Sequence, residues 1–219
     1  MNDNANAMNR AEFAEFWYRK HNKVLAILFA SLALACFFGY YLTMECIYSW
    51  RYFQNDLTHF WNFFVYLIVY LIILIGNIRN DNIAYTGILM FIFYMAYDNA
   101  VTIIKSGNEV VKNLSSSGSF DPLFLLYGLS WAGIVGIVFV GIFLYVRSAQ
   151  YMRGSFTNFK VIRLLSILFA SCIILVFAFP LFMFLASGYF AALFILLINI
   201  ADAFIGLSVI FTMERLRRV

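Results

Sequence analysis

The sequence predicts an all-α integral membrane protein that crosses the bilayer about six times as helices. Of its 219 residues, 64% are hydrophobic and only 12% are charged, whereas a soluble domain is about half apolar and about a quarter charged. The apolar residues fall in runs of roughly twenty, which is the length that a helix needs to cross the hydrocarbon core. An outer-membrane barrel would show segments of about ten residues with alternating polarity, so the uninterrupted runs favour helices.

Both ends of the chain are more polar than its middle. Residues 1–23 are polar, and residues 9–22 within them combine charged side chains with Phe13, Phe16 and Trp17, a pattern typical of a short interfacial helix. The segment is too long and too acidic for the first region of a signal peptide, so we keep the first apolar run as a spanning helix. Residues 213–219 form a basic tail.

The apolar part of the chain, residues 24–212, divides into six predicted helices. The connections between them are short except at residues 105–121, which are rich in Ser, Gly and Asn. The Ser187–Gly188 junction is so short that we expect an antiparallel hairpin of the last two helices. Pro180 lies inside the fifth helix and removes one backbone hydrogen bond, so we expect a kink there. The six spans lie near 24–48, 58–77, 82–104, 122–146, 160–186 and 189–212.

The distribution of Lys and Arg predicts the orientation. With a cytoplasmic N-terminus, twelve of the fifteen Lys and Arg residues lie on the cytoplasmic side, as the positive-inside rule requires. An even number of spans then places the C-terminus in the cytoplasm too, and we predict a multi-pass protein of the cell membrane. Because the basic residues sit at helix ends, the net charge of +4 does not indicate nucleic-acid binding. The twelve are Arg10, Arg19, Lys20, Lys23, Arg79, Arg147, Arg153, Lys160, Arg163, Arg215, Arg217 and Arg218; the other three are Arg51, Lys105 and Lys112.

Asp202 is the most informative polar residue, because it lies near the middle of the sixth predicted span. A carboxylate at the bilayer centre costs about 2.5–3.5 kcal/mol on insertion scales, so it should face the bundle interior, a partner or a water-filled cavity. Asn199 precedes it by three residues and shares its face. Three interpretations stay open: an ion, proton or solute site; a hydrogen-bonded packing residue; or a contact to another subunit.

Further polar and aromatic residues accompany Asp202 in the outer half of the predicted bundle. Glu45 and Asp98 lie in the outer parts of the first and third spans, and the second span adds one helical stripe. These residues predict an outward-opening, aromatic-walled vestibule with Asp202 near its floor, which suits a cationic or amphiphilic solute. The alternative is an aromatic belt, since Tyr and Trp collect at the membrane interface without any ligand. The stripe consists of His59, Asn62, Tyr66 and Tyr70.

A basic cluster lies between the fourth and fifth spans. One interpretation is attraction to anionic lipid headgroups of the bilayer, and the other is a docking surface for a soluble partner such as a cytoplasmic ATPase. The cluster consists of Arg147, Arg153, Lys160 and Arg163.

Motifs of common catalytic chemistry are absent from the sequence. It contains no P-loop and neither of the hydrolase motifs HExxH and GxSxG. Its two histidines, His21 and His59, lie away from the middle of any span, so we expect no haem ligated by two histidines. We therefore predict no enzyme activity, no catalytic residue, no metal site and no cofactor.

The sequence favours a transport role. We expect a small solute-binding or permease subunit that depends on separate energising subunits, with a small molecule or a cation as its ligand. A second interpretation is an accessory, assembly or immunity-type membrane protein that acts through lateral helix contacts with other membrane subunits. A third is an oligomeric channel, which would use a ring of repeated polar groups.

Overall fold

The computed structural model describes residues 2–48, 57–79, 82–116, 122–188 and 191–215, with side chains described for most of them. The backbone in these ranges is almost entirely helical, and no strand occurs within them. The helices are α1 (Asn2–Tyr48), α2 (Leu57–Arg79), α3 (Ile83–Ser116), α4 (Pro122–Met152), α5 (Phe159–Val176), α6 (Ala178–Ser187) and α7 (Ala191–Arg215).

Five helical stretches in the described part of the chain are long and apolar enough to cross a membrane. Helices α5 and α6 form one of the five, because only Phe177 separates them. Helix α2 contributes a shorter apolar stretch, Phe63–Arg79. The prediction of an all-helical protein with several helices of membrane-spanning length is confirmed, while six spans and their orientation stay predictions. The predicted connection at residues 105–121 is wrong over residues 105–116, because α3 continues through them. The five stretches are Glu12–Thr43, Ile83–Lys112, Leu125–Met152, Phe159–Ser187 and Ile195–Arg215.

The contacts between helices follow a closed ring. Each of α1, α2, α3, α4 and α5 packs against the next, and α7 closes the ring by packing against both α5 and α1. Helix α3 also touches α7 across the centre, while α6 packs against α4 and α7. Large side chains fill the middle of the ring, so it is a packed bundle. They include Phe37, Tyr70, Phe91, Phe169 and Ile205.

Helix α1 runs through the boundary that the sequence analysis placed after residue 23. It has 47 residues, which corresponds to about 70 Å at 1.5 Å per residue, so it is much longer than one span. Glu15 and Arg19 form an ion pair of 2.6 Å across one turn, and the Lys20 ammonium lies 5.1 Å from the ring centre of Trp17. The polar segment is helical as predicted, but it continues directly into the first span instead of forming a separate helix.

The fifth predicted span is interrupted near Pro180, as expected. The N–H of Phe177 donates to the carbonyl of Ile174 at 3.0 Å, which marks a tightened turn between α5 and α6. Pro180 then lies in the first turn of α6, where its missing N–H costs little. At the other end of α6, Gly188 adopts a left-handed φ of 64° and its N–H donates to Phe184 at 2.8 Å. Because α6 packs on α7, the two helices form the expected hairpin.

The two ends of the ring differ in charge. At the end that we call the basic end, α2 finishes at Arg79, α4 and α5 are joined near Arg153 and Lys160, and α7 finishes at Arg215. At the opposite end, α1, α3 and α6 finish and α2, α4 and α7 begin.

Candidate binding site

Tyr70 of α2 and Asp202 of α7 form a buried pair inside the ring. The Tyr70 hydroxyl donates a hydrogen bond to Oδ1 of Asp202 at 2.5 Å. Tyr70 is fully buried and only 7% of Asp202 is exposed. Asp202 is about 20 Å along the helix from Arg215 at 1.5 Å per residue, which puts the pair in the middle of the bundle.

Helical spacing explains why these two side chains point inward. On α2, the buried residues that follow Tyr70 include Ile73 and Asn77, at offsets of three and seven. On α7, Asp202 shares its face with the buried residues Ile205 and Val209. Residues at such offsets lie on one face of a helix, and these faces of α2 and α7 both turn toward the ring interior. The polar pair is therefore held by the same stripes that build the apolar core.

Tyrosine and phenylalanine rings surround the pair on the side away from the basic end. The Tyr66 ring packs edge-on against Tyr70, with 5.8 Å between ring centres, and against Tyr94 of α3 at 5.0 Å. From α1, the Phe37 ring lies 5.5 Å from Tyr70 and 4.7 Å from Tyr41. Edge-to-face contacts of this kind stabilise aromatic clusters. We call Tyr41, Tyr66, Tyr70 and Tyr94 the tyrosine cluster.

A second carboxylate, Asp98, lies beside the tyrosine cluster. It is half-buried on α3, one turn after Tyr94, and it is close enough to Asp202 and Tyr66 for electrostatic interaction. Lys105, two turns farther along α3, interacts with Asp98. No salt bridge joins Asp202 to a basic residue among the side chains that the structure describes. The site therefore holds two acids, of which Asp98 has a cationic neighbour.

The structure brings together four of the residues that the sequence analysis selected, namely Tyr66, Tyr70, Asp98 and Asp202. Asn199 is half-buried one turn before Asp202 and takes no part in the Tyr70–Asp202 hydrogen bond. The side chains of Glu45, His59 and Asn62 lie outside the described residues.

A polar network that the sequence analysis did not identify connects α2 to α7 toward the basic end. The amide of Asn77 donates to the Thr212 hydroxyl at 3.0 Å and to the Ile73 carbonyl at 2.9 Å. Thr212 donates in turn to the Ser208 carbonyl at 2.7 Å, and the Arg215 guanidinium reaches the Asn77 carbonyl at 3.5 Å. The sequence signal was the position of Asn77, which continues the inward stripe of Tyr70 and Ile73.

Glu214 joins three helices at the basic end. Its side chain is buried, although it lies next to the end of α7. The Tyr18 hydroxyl of α1 donates to Oε2 of Glu214 at 2.7 Å, and Nε of Arg163 of α5 lies 2.8 Å from Oε1. We call these three residues the Glu214 clamp, because they tie α1, α5 and α7 together.

The clamp changes the interpretation of the predicted basic cluster. Arg163 is 59% exposed but is paired with Glu214, so its positive charge is partly neutralised by a residue of the same chain. The Arg147 guanidinium donates to Oε1 of Gln150 at 3.0 Å and lies 5.1 Å from the ring centre of Phe156. Arg153 and Lys160 are exposed. Contact of the cluster with lipid headgroups or a partner stays a prediction.

The fold and this site define a class: an all-helical, multi-pass membrane protein with a tyrosine–aspartate pair buried between two of its helices. Comparison of the sequence with known protein families and curated proteins, and of the fold with solved structures, found no match. Within the described residues, no group of three or more His, Cys, Asp or Glu side chains is arranged to hold a metal ion. Any inference about function therefore rests on the geometry of the site.

Proposed function

We propose that this protein is a transport component of the cell membrane: a small solute-binding or permease subunit whose site opens toward the outside and which acts with partner energising subunits. The observation that carries the proposal is the burial of Asp202 in the middle of α7, held by Tyr70. Carboxylates inside membrane helices are costly and usually mark ion or solute pathways. An uncharged residue at position 202 would be enough if its side chain only had to pack.

The surroundings of Asp202 indicate the class of solute. Two acidic side chains, Asp98 and Asp202, lie near one another and offer carboxyl oxygens that can hold a cation. The tyrosine cluster adds aromatic rings, whose faces attract cations. We therefore propose a cationic or amphiphilic solute of modest size.

We further propose six spans with the basic end in the cytoplasm. Helix α2 has 23 residues, or about 34 Å at 1.5 Å per residue, which is enough to cross a hydrocarbon core of about 30 Å. It packs between α1 and α3 in the ring. With α2 added to the five long apolar stretches, the positive-inside rule places Arg79, Arg153 and Arg215 in the cytoplasm. Asp98 and the tyrosine cluster then lie toward the outside.

The exposed basic residues support the proposed partner. Arg153 and Lys160 project from the connection between α4 and α5, on the side where a cytoplasmic ATPase would dock. Anionic lipid headgroups are the competing contact for the same side chains.

An assembly role through lateral helix contacts is the main alternative. It would require Asp202 to meet a cation from another membrane protein. The burial of Asp202 against α2 supports a site inside the chain more than such a contact. The channel interpretation would need a second copy to place its Asp202 in the same pore.

Binding of radiolabelled tetraphenylphosphonium, an aromatic cation, to the purified protein in detergent tests the proposal. We expect saturable binding by the wild type and at least about tenfold weaker binding by Asp202→Asn, since a loss of about 1.4 kcal/mol is tenfold in affinity. Glu109→Gln is the matched control, because Glu109 is an exposed acid on α3. Equal binding by a monodisperse Asp202→Asn protein would overturn the proposed site. Loss of a co-purifying membrane partner, with cation binding intact, would favour the assembly role.

A further inference from the structure

We propose that Asp202 exchanges a proton for the cationic solute, so that this site couples solute binding to proton release. The inference rests on the proposed function and deepens it, because it names the ion that leaves when the solute enters. It is carried by three features of the geometry: the burial of Asp202, the absence of a basic partner in its described surroundings, and the single hydrogen bond from Tyr70.

The protonation state of Asp202 in the empty site follows from its surroundings. An isolated carboxylate in an apolar interior is so costly that the group takes up a proton instead. Lys105 acts on Asp98, and no described basic side chain forms a salt bridge with Asp202. In the empty site Asp202 is therefore the neutral acid, while Asp98, which is only half-buried, is the one with a cationic neighbour.

The hydrogen bond from Tyr70 leaves one oxygen of Asp202 available for a proton. Tyr70 donates to Oδ1 of Asp202, which leaves Oδ2 to carry the proton. When a cation enters, the O–H bond at Oδ2 breaks, the proton passes to the aqueous solvent, and the cation replaces its charge. Atoms and charge balance, because one positive charge leaves for each one that arrives. The hydrogen bond from Tyr70 strengthens as its acceptor becomes ionised, so it acts together with the cation to stabilise the charged form.

Other titratable groups near Asp202 could also supply the proton. Helix α3 contributes Asp98 as the second acid. In α5, Cys172 lies against Gly136 of α4 and Arg163 is held in the Glu214 clamp; α6 has no ionisable side chain between residues 178 and 187. Among the described side chains, the other titratable groups that interact with Asp202 are phenols, which stay protonated near neutral pH: Tyr41 from α1, Tyr66 and Tyr70 from α2, and Tyr94 from α3. Asp98 is thus the only competing source of the proton among these groups.

Simultaneous measurement of binding and proton release tests the exchange. Tetraphenylphosphonium is added at saturating concentration to the purified protein in weakly buffered detergent solution at pH 6, with a pH indicator dye. We expect about one proton per bound cation from the wild type, from Asp98→Asn and from Asp202→Glu, and none from Asp202→Asn. We also expect cation affinity to fall as the pH is lowered, by up to about tenfold per pH unit if one proton competes with one cation.

The outcomes separate this inference from the function on which it rests. Cation binding without proton release would overturn the exchange and leave the proposed binding function standing. Proton release that persists in Asp202→Asn, or that disappears in Asp98→Asn, would assign the proton to another group and also overturn the exchange. No cation binding by the wild type would refute the proposed function itself. If Asp202→Asn does not fold, Asp98→Asn keeps the experiment decisive, because it removes the competing acid and leaves Asp202 unchanged.

Discussion

Tyr70 and Asp202 are 132 positions apart in the chain, yet the hydroxyl of one lies 2.5 Å from the carboxyl oxygen of the other. This contact links α2 to α7 in the middle of the ring, where both side chains are buried. Among the described side chains, the Asn77–Thr212 network toward the basic end provides the other polar contacts between these two helices. Asp202 is therefore one of the polar side chains that connect α2 to α7 across the ring.

Replacing Tyr70 by Phe removes only the hydroxyl that holds Asp202. The buried carboxyl then loses its hydrogen-bond donor, so we expect the free energy of unfolding to fall by about 1–2 kcal/mol. Thermal unfolding in detergent measures the change. Tyr145→Phe is the matched control, because Tyr145 is 37% exposed on α4 and its variant should unfold like the wild type. Equal melting temperatures for Tyr70→Phe and Tyr145→Phe would show that the hydrogen bond does not stabilise the bundle.

Asp98 should contribute to cation binding less than Asp202 does. It is half-buried and has Lys105 near it, so its charge is partly compensated and partly screened by solvent. We expect Asp98→Asn to weaken tetraphenylphosphonium binding by about two- to fivefold, which is below the tenfold step that corresponds to about 1.4 kcal/mol. Equilibrium binding with Glu109→Gln as the control provides the measurement. A larger loss from Asp98→Asn than from Asp202→Asn would reverse the assignment of the main acid.

The Glu214 clamp predicts energetic coupling between α5 and α7. A double-mutant cycle with Arg163→Gln and Glu214→Gln isolates the ion pair. Because Arg163 is largely exposed, we expect a coupling free energy of only about 0.5–1 kcal/mol, decreasing as salt is added. A cycle of Lys160→Gln with Glu214→Gln is the control. Additive effects in the Arg163 cycle would mean that the pair in the structure contributes no stability.

Gly133 predicts a steric limit between α4 and α5. A Cβ at this position would lie 2.7 Å from the carbonyl oxygen of Cys172 and 2.9 Å from Cβ of Leu175, and neither atom can move without the α5 backbone. We expect Gly133→Ala to destabilise the protein by about 1–3 kcal/mol through overpacking. Gly128→Ala, on the same helix and with open space around its Cβ, should be neutral or stabilising by up to about 1 kcal/mol. Thermal unfolding in detergent compares the two variants. Equal melting temperatures for Gly133→Ala and Gly128→Ala would count against this close packing.

Several features of the fold follow from local sequence. Long apolar runs predict helices of spanning length, Pro180 predicts the break between α5 and α6, and Gly188 predicts the end of α6. The continuity of α1 was not predicted, because the change from polar to apolar residues after residue 23 is a change of environment and not of backbone conformation. With no Gly or Pro in residues 1–23, nothing in that segment interrupts the helix.

The contacts of the acids could not be predicted in the same way. Glu214 lies beside basic residues near the end of the chain, so its local sequence indicates a solvated tail. Its burial depends on Tyr18 and Arg163, which belong to helices that are distant in the chain. Asp98 and Asp202 likewise come close only because α3 crosses α7 at the centre of the ring.

By itself, the sequence determined that the chain suits a lipid environment, that it is helical, and that placing Asp202 in the middle of an apolar helix costs free energy. These follow from composition and from the length of apolar runs, which are properties of single segments. Only the tertiary structure decided that Tyr70, and not Asn199, donates the hydrogen bond that offsets this cost. It also decided that Arg163 is the basic residue that pairs with Glu214. The physical reason is that the ring order and rotation of the helices are set by side-chain packing over the whole bundle, which no single segment contains.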